Sequence, residues 1–186
     1  MDWFKRKSPK PSMPKEHHGI PTVKFDTARV TGPVRAEVLN CVNQIEGLKP
    51  SEFDHVHEAA LQCVSGGGDL HVLTVALLNA SIDDMTKRKA GDIAIHLNGR
   101  ARSIMDREKL LSLGIRFSEW IYSGAPCDPY LPTPTPEQVI QDATHAGANG
   151  LRYENAKGLL VNGKWTWPGW ETGCKCTHRP IISGFD

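Results

Sequence analysis

Apolar positions recur with a helical period in the first two-thirds of the chain and with a strand period in the last third. Val34, Val38, Cys41, Val42 and Ile45 form a stripe at three- and four-residue spacing. That spacing predicts a helix opening at Pro33, a residue suited to a first helical turn, and ending before Pro50. "SEFDHVHEAALQCVS" continues as a second helix, with Ser51 as its N-cap, and stops at Gly66–Gly68. "DLHVLTVALLNA" is short and nearly all apolar, so it is expected to be the most buried helix. The longest helical stretch runs from Asp83 to Gly114, with Met85, Ile93, Leu97, Ile104 and Leu111 as its stripe. Gly91 and Gly99 weaken it by roughly 1 kcal/mol each relative to Ala, so a bend or a close approach is expected there.

Beyond Gly114 the pattern alternates. "IRFSEWIYSG" reads as an aromatic, β-branched strand, and "APCDPYLPTPTPEQ" as a Pro-rich loop. "PEQVIQDATHAG" reads as a short helix. In "GLLVNGKWTW", Asn162–Gly163 between two apolar runs predicts a hairpin with a type I′ turn. "CKCTHRPII" then closes as the last strand. The expected class is α+β: a basic extended arm over 1–28, a helical region over 29–112, and a small antiparallel β-rich domain over 113–186.

Composition adds bounds. The 186 residues suffice for one ordinary core, and 39% hydrophobic with 23% charged residues is a globular mixture. A formal net charge of +1 gives no strong global field to attract nucleic acid. The charge is uneven, however. Lys5, Arg6, Lys7 and Lys10 crowd the Pro-rich arm, and Lys87, Arg88, Lys89, Arg100, Arg102, Arg107 and Lys109 line the long helix. The helix charges read as solvated faces, with a helix laid on an acidic partner or on DNA phosphates as the alternative. The arm reads either as a solubilising tail or as a segment laid on an acidic partner or on DNA. Trp3 and Phe4 beside Lys5, Arg6 and Lys7 would anchor such docking. The N-terminus lacks the apolar core of a secretory signal, and no apolar run is long enough to span a bilayer, so a cytosolic site of synthesis is expected.

The five cysteines argue against a disulfide framework in such a compartment. Cys41 and Cys63 read as buried small hydrophobes. Cys174-x-Cys176-x-His178 is a compact donor set for zinc, with Cys127 and His145 as further donors. On a regular strand Cys174 and Cys176 would lie about 6.5 Å apart, whereas two thiolates on one zinc lie roughly 3.8 Å apart. They share a metal only if the chain turns there, helped by Gly173. The alternatives are two thiols packed beneath Trp165, Trp167 and Trp170 against Trp120, or a redox pair. No nucleophile–base pair, G-x-S-x-G, H-E-x-x-H or phosphate loop is present, so no catalytic residues are assigned. His17, His18, His55 and His57 read as solvated or capping.

Ile93–Ala94, Leu113–Gly114–Ile115, Glu119–Trp120, Ser123, Cys127, Pro168–Gly169, Cys174–Lys175–Cys176 and Arg179–Pro180 follow one another in a distinctive order. That order, spanning about half the chain, resembles the C-terminal domain of tailed-bacteriophage minor head proteins, the phage Mu F-like head-morphogenesis family. Ile95–His96–Leu97 replaces the family's Arg-Thr-Glu, and Tyr130 stands where its loop carries a second Cys or His. The resemblance implies a structural virion protein, not an enzyme. It would sit in low copy at or near the portal vertex and assist head assembly and DNA packaging or ejection. Implied partners are the portal and major capsid proteins, with packaged DNA reached through the basic arm. Two rival readings are a zinc-binding nucleic-acid module and a head–neck connector or toxin-like enzyme domain.

Overall fold

The computed structural model describes residues 25–124, 145–161, 163–182 and 184. Its fold is α+β, with four helices followed by five short strands among the described residues. The helices are α1 (Gly32–Asn43), α2 (Pro50–Ser65), α3 (Leu70–Asn79) and α4 (Lys87–Ser112). A 3-10 turn, Thr27–Arg29, precedes α1. The strands are β1 (Phe117–Ile121), β2 (Arg152–Glu154), β3 (Leu159–Val161), β4 (Lys164–Thr166) and β5 (Thr177–Ile181). Among the described residues no helix is long and apolar enough to cross a membrane.

The α1 stripe is as expected, but the helix ends earlier. It stops at Asn43, and Pro50 does not terminate α1 but opens α2, with Lys49 as the N-cap instead of Ser51. A proline that lacks an N–H fits a first turn, where that donor has no helical partner anyway. α3 is capped by Asp69, whose side chain accepts from the His71 amide. It is not the most buried helix. Only Leu73, Ala76 and Leu77 are enclosed, while Val75 and Leu78 face outward.

α4 contacts each of the other three helices. Thr86 caps it by accepting from the Lys89 amide at 3.1 Å. Its buried face is Ala90, Ala94, Leu97, Ala101, Ile104, Met105 and Leu110. Leu97 and Ile104 were expected there, but Leu111 is exposed, and Met85 and Ile93 pack only at the rim. A stripe drawn through the large side chains missed the alanines, which allow neighbouring helices to come close. The basic residues of α4 are also not uniformly solvated. Arg100 keeps only 15% of its side chain exposed, against Glu37 of α1.

Two sheets complete the fold. β1 lies between β2 and β5, all antiparallel, and β3 pairs with β4 in a separate hairpin. The hairpin matches its expected position, and Gly163 has the positive φ (75°) that such a turn requires. Alternation along β1 directs Ser118 and Trp120 inward. Trp120 is fully buried and, with Ala148, Tyr153, Val161 and Cys176, forms a second apolar cluster apart from the helical one. Trp165 does not add bulk to it. It is 47% exposed, opposite Leu160 on the outer face of the hairpin.

Candidate metal centre

The last strand begins at Thr177, so Cys174 and Cys176 are not strand residues. They lie in a turn that leads into β5. The Cys174 amide donates to the Glu171 carbonyl at 3.0 Å. Gly173 takes φ 71°, a left-handed conformation that glycine adopts without a Cβ penalty. The strand-spacing objection to a shared metal therefore does not apply: both cysteines precede the strand, and their sulfurs lie within 4.8 Å of each other.

His145 arrives from the far side of β1. The turn containing it is tied down where the Gly150 amide donates to the Trp120 carbonyl (2.8 Å) and the Tyr122 amide to Asn149 Oδ1 (2.9 Å). The imidazole lies against Trp120, with ring centroids 5.0 Å apart and planes at 66°. His145 Nδ1 is then 3.1 Å from Cys174 Sγ and 3.9 Å from Cys176 Sγ. All three donor atoms lie within 4.8 Å of one another.

This group can hold a metal ion. Tetrahedral zinc with Zn–S near 2.3 Å and Zn–N near 2.05 Å separates S and N ligands by roughly 3.6 Å, and the two observed distances bracket that value. His145 and Cys176 are buried, and Cys174 is half-buried. The Gly169 amide donates to Cys174 Sγ at 3.3 Å, the kind of second contact that orients a thiolate ligand. Trp120 Nε1 is buried with no hydrogen-bond partner among the described residues; as an N–H it can donate a hydrogen bond but cannot ligate a metal.

Burial alone would lower the His145 pKa, but hydrogen bonds to Cys174 and Cys176 and their negative charge outweigh it, and the pKa rises to about 9. Burial pushes the Cys41 thiol up to about 12, with Glu37 adding to the effect, and the Cys63 thiol up to about 11. Those two are enclosed in the helical core, as expected, and a metal cannot readily recruit them as thiolates.

A metal entering the triad must expel the imidazolium proton. Below about pH 9 that proton is bound in the metal-free protein, so its loss opposes metal binding. Metal affinity is therefore expected to rise steadily between pH 6 and 8. Competition titrations against a chelator of known pH dependence check this in the wild type and in His145→Gln; an equal slope in both would show that His145 is not a ligand.

Of the donors expected from sequence, the fold joins His145, Cys174 and Cys176 and leaves His178 out. His178 sits on β5 opposite Trp120 and is not part of the three-donor group. Cys127 lies outside the described residues, as do Trp3, Phe4, Lys5, Arg6 and Lys7. So does most of the short helix expected over 136–147, and its last residues, from His145, are in a turn. The Gly169 amide and the packing of Trp120 on His145 were missed as parts of the centre. Pro168–Gly169 was legible only as a turn. Comparison of the chain with family models, with curated proteins and with solved structures finds no match.

Proposed function

We propose that this chain is a non-catalytic minor head protein of a tailed bacteriophage, acting at or near the portal vertex. Its C-terminal part is closed by a structural zinc ion on His145, Cys174 and Cys176. The observation that carries the reading is a convergence. Trp120, Gly169, Cys174 and Cys176, which belong to the motifs that carry the resemblance to the head-morphogenesis family, gather around one donor group. Zinc suits two thiolates and an imidazole, brings no redox chemistry of its own, and cross-links segments that a small apolar cluster holds weakly. Cys127 is the sequence's choice for the fourth ligand, and loss of zinc on Cys127→Ser would assign it.

In this reading the arm, with Trp3, Phe4, Lys5, Arg6 and Lys7, contacts the portal, the capsid lining or packaged DNA. Mass spectrometry of gradient-purified phage particles tests both parts. The full chain is expected in low copy beside portal protein, and deletion of residues 1–24 should reduce retention severalfold. Absence of the full chain from particles would refute the virion assignment, and undiminished retention after deletion would refute the role of the arm.

The donor group equally suits a zinc-dependent nucleic-acid module. Against that reading, Arg100 and Arg107 lie over the Trp170 and Trp167 rings and do not form a free basic stripe. Tight DNA binding that falls steeply with salt would favour it.

A further inference from the structure

The loop from Trp167 to Cys174 carries one of the two thiols and also lies on α4. Its contacts with the helix are specific. A Cβ on Gly99 would sit 3.1 Å from the Gly169 carbonyl oxygen, so the loop backbone approaches the helix at a point where only glycine leaves full room. One residue on, the Arg100 guanidinium lies 4.3 Å from the Trp170 ring centroid. Its Nε is 2.8 Å from Glu37 Oε1, an ion pair off the hydrogen-bonding direction that ties the same group to α1. Two turns further along the same stripe, Arg107 lies 4.6 Å from the Trp167 ring centroid. The two tryptophans meet edge to face at 5.5 Å, and Trp167 Nε1 donates to the Asn155 carbonyl at 3.0 Å.

Gly169 joins the two sets of contacts. Its carbonyl faces α4, and its amide donates to Cys174 Sγ. A metal on Cys174 would fix the position of its sulfur, and with it the acceptor that the Gly169 amide needs. We propose that metal occupancy of His145, Cys174 and Cys176 controls docking of the strand-bearing part of the protein on α4, with Gly169 as the mechanical link. This rests on the metal reading of the triad and adds a consequence to it. An ion bound beside Trp120 sets the clamp of Trp167 and Trp170 on Arg107 and Arg100. Coupling of this kind is reciprocal, so weakening the clamp must weaken metal binding even though no ligand is touched.

The test uses the full chain, zinc as the metal, and a competing chromogenic chelator. Gly99→Val wedges the clamp from the helix side and Trp170→Ala removes it from the loop side. Each is expected to weaken zinc binding roughly ten-fold, within the usual range of coupling between sites. Circular dichroism confirms that the helices persist. Trp170→Phe, a milder change, guards against misfolding. Chelation should red-shift tryptophan emission in the wild type, and the shift should shrink in Trp170→Phe. Zinc affinity unchanged in both clamp variants, or an emission spectrum indifferent to chelation, overturns the coupling while leaving the metal site standing. A wild-type chain that takes up no zinc overturns the metal reading and the coupling together.

Discussion

Cys176→Ser is expected to abolish stoichiometric zinc and to lower the melting temperature by roughly 8–16 °C in zinc-containing buffer. The size follows from linkage. A ligand held only by the folded state stabilises it by about 4 kcal/mol when its free concentration is about a thousand times Kd. For a chain of this length each kcal/mol moves the midpoint by about 2–4 °C. Cys176 is the most enclosed thiol of the triad, 7% exposed, and serine conserves its shape while removing the thiolate. The variant should therefore melt with the chelator-treated wild type and ignore added zinc. One zinc per chain in the purified variant would show that the ion is held elsewhere. Full loss of zinc with no change in melting would show that the ion does not support the fold.

Trp120→Ala is expected to destabilise the protein by about 3–5 kcal/mol, the usual cost of removing a fully buried large aromatic side chain. Against a total stability of roughly 5–15 kcal/mol, that is enough to leave a substantial unfolded fraction near physiological temperature. Trp120 is wholly enclosed, packs edge-on to both His145 and Tyr153, and sits on the central strand of the three-stranded sheet. Its cluster is small, so there are few neighbours to collapse into the space left behind. Urea unfolding followed by circular dichroism measures the loss. Trp120→Phe should recover part of it, because the ring is kept. A loss below about 1 kcal/mol, typical of an exposed position, would contradict the packing described for β1.

The two variants also separate two contributions to the C-terminal half. Cys176→Ser removes one candidate metal donor from the edge of the apolar cluster, whereas Trp120→Ala removes the centre of the cluster and leaves the three donors. Because Trp120 lies against His145, the second variant should also weaken zinc binding. Their combined effect is then expected to be less than the sum, as for residues that share a contact.

Much of the architecture was legible locally. The stripe of α1, the stop of α2 at its glycine run, the aromatic strand β1 and the hairpin of β3 and β4 all follow from period and turn chemistry within a few residues. Burial of Cys41 and Cys63 followed from their apolar neighbours on helical faces. Less local matters were misread. The α4 face was assigned to its large residues, but alanines line it, because the closeness of α1 and α3 determines which side chains fit. Composition alone makes α3 the most buried helix. Two of its apolar residues nevertheless face outward, since burial depends on how many sides of a helix are covered.

The candidate site divides along the same line. The residue types were readable: thiols and imidazoles are metal donors wherever they occur, and glycine before Cys174 permits a turn. Sequence by itself therefore determined the α+β order of elements and the donors available. Only the tertiary structure decided which donors meet. Cys174 and Cys176 converge because β5 starts at Thr177 and not before them, and His145 joins them because its turn is bonded to the end of β1. The reason is geometric. A period of 3.6 or 2 residues fixes which neighbours share a face within one element, whereas positions about thirty residues apart meet only through sheet register and loop path, which no local pattern records.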